Sequence, residues 1–234
     1  MSLADYKKKR NFKNTPEPGA DFSTENRGRF VIQRHEATRL HYDLRLEMNG
    51  VLKSWAVPKG PSMNPKDKRL AIETEDHPVK YLDFEGTIPK GNYGAGEMQI
   101  WDKGTFKAAA KTSDNLEEQW EDGNLKIVFT GTKIKGEFAL VKTKRGDKKN
   151  QWLLIKKNDD FSTDLDYDAE VFTEKKSQNK GHKKQEGKVR KINPSEFIKP
   201  MLATTGKKIF NDPDWIYELK WDGYRALAHI EDGK

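Results

Sequence analysis

The chain has no cysteine among its 234 residues, which excludes disulfides, thiolate metal sites and a cysteine nucleophile, and leaves any metal to His, Asp, Glu or carbonyl ligands. It also lacks an apolar run approaching the roughly 20 residues that a membrane helix needs. The basic N-terminus is followed by no such run either, so it does not read as a signal peptide. A cytoplasmic location is the resulting expectation. Apolar residues are scarce too, at 34% against 35% charged, so part of the chain is expected to lie outside any packed core.

The charge that is present has a sign. A net +7 favours a polyanionic partner such as nucleic acid, although basic surfaces also serve solubility. It is unevenly spread: residues 174–191 hold eight Lys or Arg and two Glu with no apolar periodicity, the pattern of a disordered basic linker. Residues 1–28 are polar and contain Thr15-Pro16-Glu17-Pro18-Gly19, which predicts an irregular arm.

Between these tails, short alternating runs recur: Phe30–Gln33, His41–Glu47, Val51–Val57, Leu70–Thr74, Glu97–Trp101, Leu125–Thr130, Glu137–Lys142 and Gln151–Ile155. About eight strands at this spacing predict a mainly β fold, a small closed or partly closed barrel, with a short helix over 116–120 capped by Ser113-Asp114-Asn115. The expected division is an arm over 1–28, a barrel over 29–160, a flexible basic linker over 161–197 and an incomplete C-terminal segment over 198–234.

Strand alternation puts His41, Asp43, Arg45 and Glu47 on one face and Tyr42, Leu44, Leu46 and Met48 on the other. Imidazole and carboxylate then stand about 7 Å apart along the strand, able to lean onto one ion. His35 is the leading third ligand, since residues 36–40 can return the chain to His41 in a tight connection. Two His and one Asp suit manganese, iron or zinc with positions left open, whereas an isolated His-x-Asp pair is more often a surface hydrogen bond. A second run, Arg69, Ala71, Glu73, Glu75 and His77, also shares one face, with Leu70 and Ile72 opposite. Lys53 and Lys59 flank Trp55-Ala56-Val57-Pro58 and serve either solubility or substrate. Gly86–Gly96 is glycine-rich but has no P-loop ending, so it reads as an inter-strand turn.

These residues resemble a known family. Phe30-Val31-Ile32-Gln33-Arg34-His35, Leu40-His41-Tyr42-Asp43-Leu44-Arg45-Leu46, Leu52–Pro61, Glu73-Thr74-Glu75-Asp76-His77-Pro78 with Tyr81, Phe84–Pro89, Tyr93-Gly94-Ala95-Gly96, Gly136–Val141 and Trp152–Lys157 together are similar to the phosphoesterase module of bacterial DNA ligase D. The resemblance spans about residues 4–160. It implies a β-barrel that uses a manganese-type ion to remove a 3′-terminal ribonucleoside and then the remaining 3′-phosphate from DNA. It also implies His35, His41 and Asp43 as metal ligands, Arg45, His77 and Tyr81 on the scissile phosphate, Lys59, Arg69 and Glu75 in support, and Arg10 and Glu17 from the arm. Asn11 departs from the family, which usually has aspartate there. DNA ends, the Ku end-binding protein and ligase or polymerase modules are the implied partners in double-strand break repair.

Downstream, Glu218-Leu219-Lys220-Trp221-Asp222-Gly223 resembles the nucleotide-binding motif of ATP-dependent DNA ligases, where the lysine takes AMP. The later motifs of such a pocket do not follow, so ligation by this chain alone is not expected. The competing expectations are a non-catalytic DNA-end-binding module and a ligase fragment.

Overall fold

A computed structural model describes residues 2–24, 26–110, 112–143 and 150–173. All lie in the first of the two units, Met1–Lys176 and Ser177–Lys234, into which the chain divides. The basic stretch 174–191, the segment 198–234 and Lys220 therefore fall outside the described residues.

Ten strands form one antiparallel sheet: β1 (Arg29–Glu36), β2 (Leu40–Met48), β3 (Val51–Val57), β4 (Lys68–Glu73), β5 (His77–Pro78), β6 (Gly86–Ile88), β7 (Gly96–Ala108), β8 (Asn124–Thr130), β9 (Lys135–Lys142) and β10 (Gln151–Lys156). Eight of them close a ring in the order β1-β2-β3-β4-β10-β9-β8-β7, because β1 pairs with β7 as well as β2. The expected barrel is thus closed. Closure needs a bend, and β7 supplies it: between Ile32 and Gln33 the β1–β7 register slips, leaving Trp101 as the extra residue of a bulge. Short helices α1 (Leu3–Lys8) and α2 (Leu116–Glu121) complete the described elements with two 3-10 turns, Val79–Asp83 and Ala169–Phe172. Helix α2 starts where capping chemistry predicts, Asn115 accepting from the Glu118 amide at 3.2 Å.

Alternation along the strands separates two apolar layers. Phe30, Ile32, Leu44, Leu46, Trp55, Phe129, Phe138 and Trp152 fill the barrel interior, where Trp55 and Trp152 meet edge to face at 5.7 Å and Phe129 meets Phe30 at 4.7 Å. On the outer face of β1–β3 lies a second layer, Val31, Leu52, Tyr81, Leu82, Phe84, Ile88 and Met98, covered by Leu3 and Tyr6 of α1. The outside of the first three strands is therefore buried, and the polar residues on that face are buried with it.

Three expectations need correction. The arm is not wholly irregular, since α1 forms with Ser2 and Asp5 exchanging capping contacts. Residues 161–173 do not open a linker: Asn64 Nδ2 donates to the Leu165 carbonyl at 2.9 Å, Trp101 Nε1 donates to that of Ala169 at 3.0 Å, and Ala169 is fully buried in the barrel core. The run from Arg69 to His77 does not keep one face: on β4 Ala71 lies in the barrel interior and Leu70 is exposed. The run also breaks after Glu73, so Glu75 and His77 reach their places through β5, which pairs with β3.

One backbone approach fixes the end of β1. Gly96 has φ 152°, and a Cβ there would lie 2.4 Å from the Glu36 carbonyl oxygen and 2.8 Å from the Ala37 Cα. Gly96→Ala is expected to cost about 2 kcal/mol or more of unfolding free energy. An unchanged denaturation midpoint and slope would refute this close packing.

Candidate active site

His35 and His41 are direct cross-strand partners on β1 and β2, with ring centroids 4.7 Å apart. Asp43, one alternation further along β2, places one carboxylate oxygen 3.5 Å from His35 Nδ1 and the other 3.5 Å from His41 Nε2. One potential ligand atom from each residue falls within 4.8 Å of the others.

The remaining ring nitrogens fix how each imidazole is presented. His35 Nε2 lies 2.9 Å from the Gly94 carbonyl and His41 Nδ1 lies 2.9 Å from the Arg39 carbonyl. A carbonyl oxygen only accepts, so both contacting nitrogens carry hydrogen, and in the neutral rings the nitrogens facing Asp43 hold the lone pairs. Two imidazole nitrogens and a carboxylate, oriented by backbone carbonyls, fit a first-row divalent ion with open coordination positions. Burial opposes ionisation of Asp43, but the Arg45 guanidinium outweighs it and holds the carboxyl down to about 2.

Arg45 is fixed on three sides. Its Nε donates to Gln33 Oε1 at 2.7 Å, one terminal nitrogen to Ser54 Oγ at 3.1 Å and the other to Asp43 at 3.0 Å, while its guanidinium lies 4.6 Å from the Tyr81 ring centroid. Gln33 is itself oriented by the Tyr81 and Phe84 carbonyls at 3.0 and 2.8 Å. Three of the five N–H donors are thereby used and two remain for a ligand.

The arm closes over these groups. Arg10 donates to Glu17 at 2.8 Å and to Glu75 at 2.8 Å, contacts His77 Nε2 at 3.2 Å and stacks on the Tyr6 ring at 3.8 Å. Glu17 also accepts from Tyr81 Oη at 2.8 Å and from Thr15 Oγ1 at 2.9 Å, and Glu75 accepts from Lys9 at 3.0 Å. Burial works against the Glu75 carboxylate, yet Arg10 and Lys9 hold its pKa below the ordinary range. His77 moves strongly downward through burial and the Arg45 and Arg10 charges, so its imidazole is neutral. Its Nδ1 donates to the Glu75 carbonyl at 2.8 Å, which leaves Nε2 as an acceptor. Burial pushes the Tyr81 phenol up by more than the neighbouring Arg45 charge takes back, and it stays protonated.

His35, His41, Asp43, Arg45, Glu75, His77, Tyr81 and Arg10 all line one cavity of about 230 Å³, with Thr74, Tyr93 and Gly94. Glu17 stands directly behind Tyr81 and Arg10. Two named residues are not brought there. Lys59 is exposed outside the lining, and Arg69 donates to the Tyr167 carbonyl at 2.6 Å and to Asp67 at 2.8 Å, tying down the 161–173 segment. Lys53 pairs with Asp76 at 3.1 Å. Glu73 accepts from Trp152 Nε1 at 2.9 Å. Sequence reasoning missed Gln33, Ser54, Tyr6, Lys9 and the Gly94 carbonyl. Gln33 had a signal, since it shares the parity of His35 and stands opposite Asp43 in the β1–β2 register. Within the 86–96 segment, β6 takes Gly86–Ile88 and the expected inter-strand turn runs over 89–95, which also supplies a cavity wall. A larger groove of about 460 Å³ beside α2, lined by Glu47, Asp114 and Glu117 among others, contains none of these groups.

Comparison with known proteins bears on what such a cavity does. Residues 33–142 match the family model described as the DNA ligase D 3′-phosphoesterase domain. The chain is 40% identical over 253 residues to a multifunctional non-homologous end joining protein LigD of Pseudomonas aeruginosa, covering 99% of this chain and 29% of that protein. It is 38% identical over 237 residues to the protein of that name from Mycolicibacterium smegmatis, covering 99% and 27%, and 37% identical over 234 residues to a multifunctional non-homologous end joining DNA repair protein LigD of Mycobacterium tuberculosis, covering 99% and 26%. The chain spans under a third of the length of these relatives.

The three converging ligand atoms make a direct expectation for metal binding. Calorimetric titration with manganese should give one ion per chain, and His41→Ala should weaken it by more than roughly 100-fold, since even loss of an outer-sphere partner costs 10- to 100-fold. His41 is the most exposed of the three, so its thermal midpoint should stay near that of the parent. Unaltered affinity in this variant would dismiss the triad as a metal centre.

Proposed function

We propose that the chain is a metal-dependent hydrolase of DNA 3′ ends, a reading supported by the match of residues 33–142 to the DNA ligase D 3′-phosphoesterase family model. On this reading it removes a terminal ribonucleoside and then the remaining 3′-phosphate, leaving a 3′-hydroxyl, in double-strand break repair by end joining. The observation that carries the proposal is the cavity in which the His35, His41 and Asp43 atoms converge next to an Arg45 with unspent donors.

His35, His41 and Asp43 would hold a divalent ion, most simply manganese, which would supply positive charge to the phosphate. Arg45 grips the phosphate with its two remaining N–H groups, held in aim by Gln33 and Ser54. In the free protein Arg10 donates to His77 Nε2, and turning that guanidinium onto the phosphate releases the nitrogen. Neutral His77 then takes a proton from the attacking water, whose oxygen bonds to phosphorus. In the first reaction the bond from phosphorus to the ribonucleoside 5′ oxygen breaks, and that oxygen takes a proton from solvent. In the second, the bond to the 3′ oxygen breaks and inorganic phosphate leaves. Tyr81 and Glu17 act as positioning residues: the ring supports Arg45, and the carboxylate ties the phenol to Arg10. Glu75 holds Arg10 and Lys9 from the other side.

A primer ending in one ribonucleotide tests the proposal in manganese buffer. Arg45→Lys is expected to lose roughly 100-fold in rate while retaining manganese, because an ammonium cannot replace the planar fork at a developing phosphate charge. Asn11→Asp should stay within about twofold, since Asn11 is exposed and its side chain accepts only a local bond from the Lys13 amide at 3.2 Å. Near-full activity of Arg45→Lys would remove the phosphate clamp from this site.

A further inference from the structure

The groups on the cavity floor suit a phosphate and an ion, and a volume of about 230 Å³ lies below the roughly 300–1,000 Å³ of pockets that enclose whole small-molecule ligands. A nucleoside attached to that phosphate must therefore extend across the cavity mouth. Tyr93 is the one exposed side chain among the residues lining the cavity, with half of its surface open to solvent.

Its loop raises the ring at a fixed distance from the reacting centre. Gly91 and Gly94 flank it with φ of 90° and 76°, conformations that turn the chain tightly around the single aromatic residue. The Gly94 carbonyl is the group that orients His35, so the ring and a metal ligand are set by adjacent residues of one turn. From the arm, Lys9 Nζ lies 4.7 Å from the ring centroid and 3.4 Å from the phenol oxygen, and the Arg10 guanidinium lies 5.4 Å from the centroid. Lys9 is in turn held by Glu75. An exposed aromatic ring braced by cations beside a phosphate site offers a π surface to a base or sugar and nothing specific to a bare phosphate.

We propose that Tyr93 is the platform on which the terminal nucleoside of the DNA end rests, and so a specificity-determining residue that favours a ribonucleoside-capped end over a bare 3′-phosphate. This rests on the phosphoesterase reading, in which only the first of the two reactions has a nucleoside beyond the scissile phosphate. Tyr93 sets the relative efficiency of the two steps, because its contact is made in one and missing in the other.

The test compares kcat/KM on one primer carrying either a single terminal ribonucleotide or a 3′-phosphate, in manganese buffer. For Tyr93→Ala the ratio of ribonucleoside removal to phosphate removal should fall about tenfold, mainly through a higher KM, as expected for one lost base–aromatic stack. Tyr93→Phe, which keeps the ring and gives up the hydroxyl contact with Lys9, should keep the parental ratio. If Tyr93→Ala lowers both activities equally, or neither, the ring serves the arm and not the nucleoside, and the inference fails. A parent protein inactive on both ends would overturn the phosphoesterase reading and this inference with it, an outcome distinct from an active parent with an unmoved ratio.

Discussion

The arrangement depends on one buried ion pair, Asp43 with Arg45, two residues apart on the same face of β2. Removing either partner of such a pair typically costs about 3–5 kcal/mol, because the survivor is left charged and unmatched away from water. Gln33 and Ser54 engage two further donors of the guanidinium, and His35 and His41 stand 3.5 Å from the two carboxylate oxygens. Every one of these partners lies on β1, β2 or β3, so the outer face of three neighbouring strands is committed to polar contacts that need shielding. That need accounts for the second apolar layer. Leu3 and Tyr6 of α1, with Tyr81, Leu82 and Phe84 around the 3-10 turn, roof a face that an ordinary barrel would leave to solvent.

Strand alternation made much of this legible. The parity of His41, Asp43 and Arg45, the return from His35 to His41 and the number of barrel strands all follow from a period of two and short turns. Parity says which residues share a face but not which face points inward. Only the structure shows that the Ala71 face of β4 is the inner one and that Arg69 serves the 161–173 segment instead of the cavity. The ring nitrogens turned toward Asp43 were also beyond the sequence. They are selected by the Gly94 and Arg39 carbonyls, which no residue type announces and only the paths of the 89–95 turn and the β1–β2 connection create.

The arm was the least legible part. Its polar, proline-containing sequence has the composition of a mobile tail, yet Arg10 is nearly fully buried between Glu17 and Glu75, with Tyr6 stacked against it. The ordering has an electrostatic origin. Glu17 and Glu75 are buried acceptors contributed by distant positions, and the several fixed donors of one guanidinium bridge both, while Lys9 adds a second positive charge at Glu75. Docking of the arm also brings a second positive charge beside His77, which with burial and Arg45 keeps that imidazole neutral.

Charge balance then argues for how the proposed chemistry is driven. Lys9, Arg10 and Arg45 contribute three positive charges around the cavity, and Glu17, Asp43 and Glu75 contribute three negative ones, each engaged in at least one of the ion pairs described. These six charges cancel. A terminal phosphate entering such a balanced cavity gives up hydration without meeting a net positive field, which is unfavourable in a low-dielectric setting. A divalent cation at His35, His41 and Asp43 changes that sum by two units where the phosphate must sit. The protein side chains therefore fix geometry, while the net attraction that brings a phosphate into the cavity is assigned to the ion; binding of the DNA end and binding of the metal should be thermodynamically coupled, each tightening the other by the same factor.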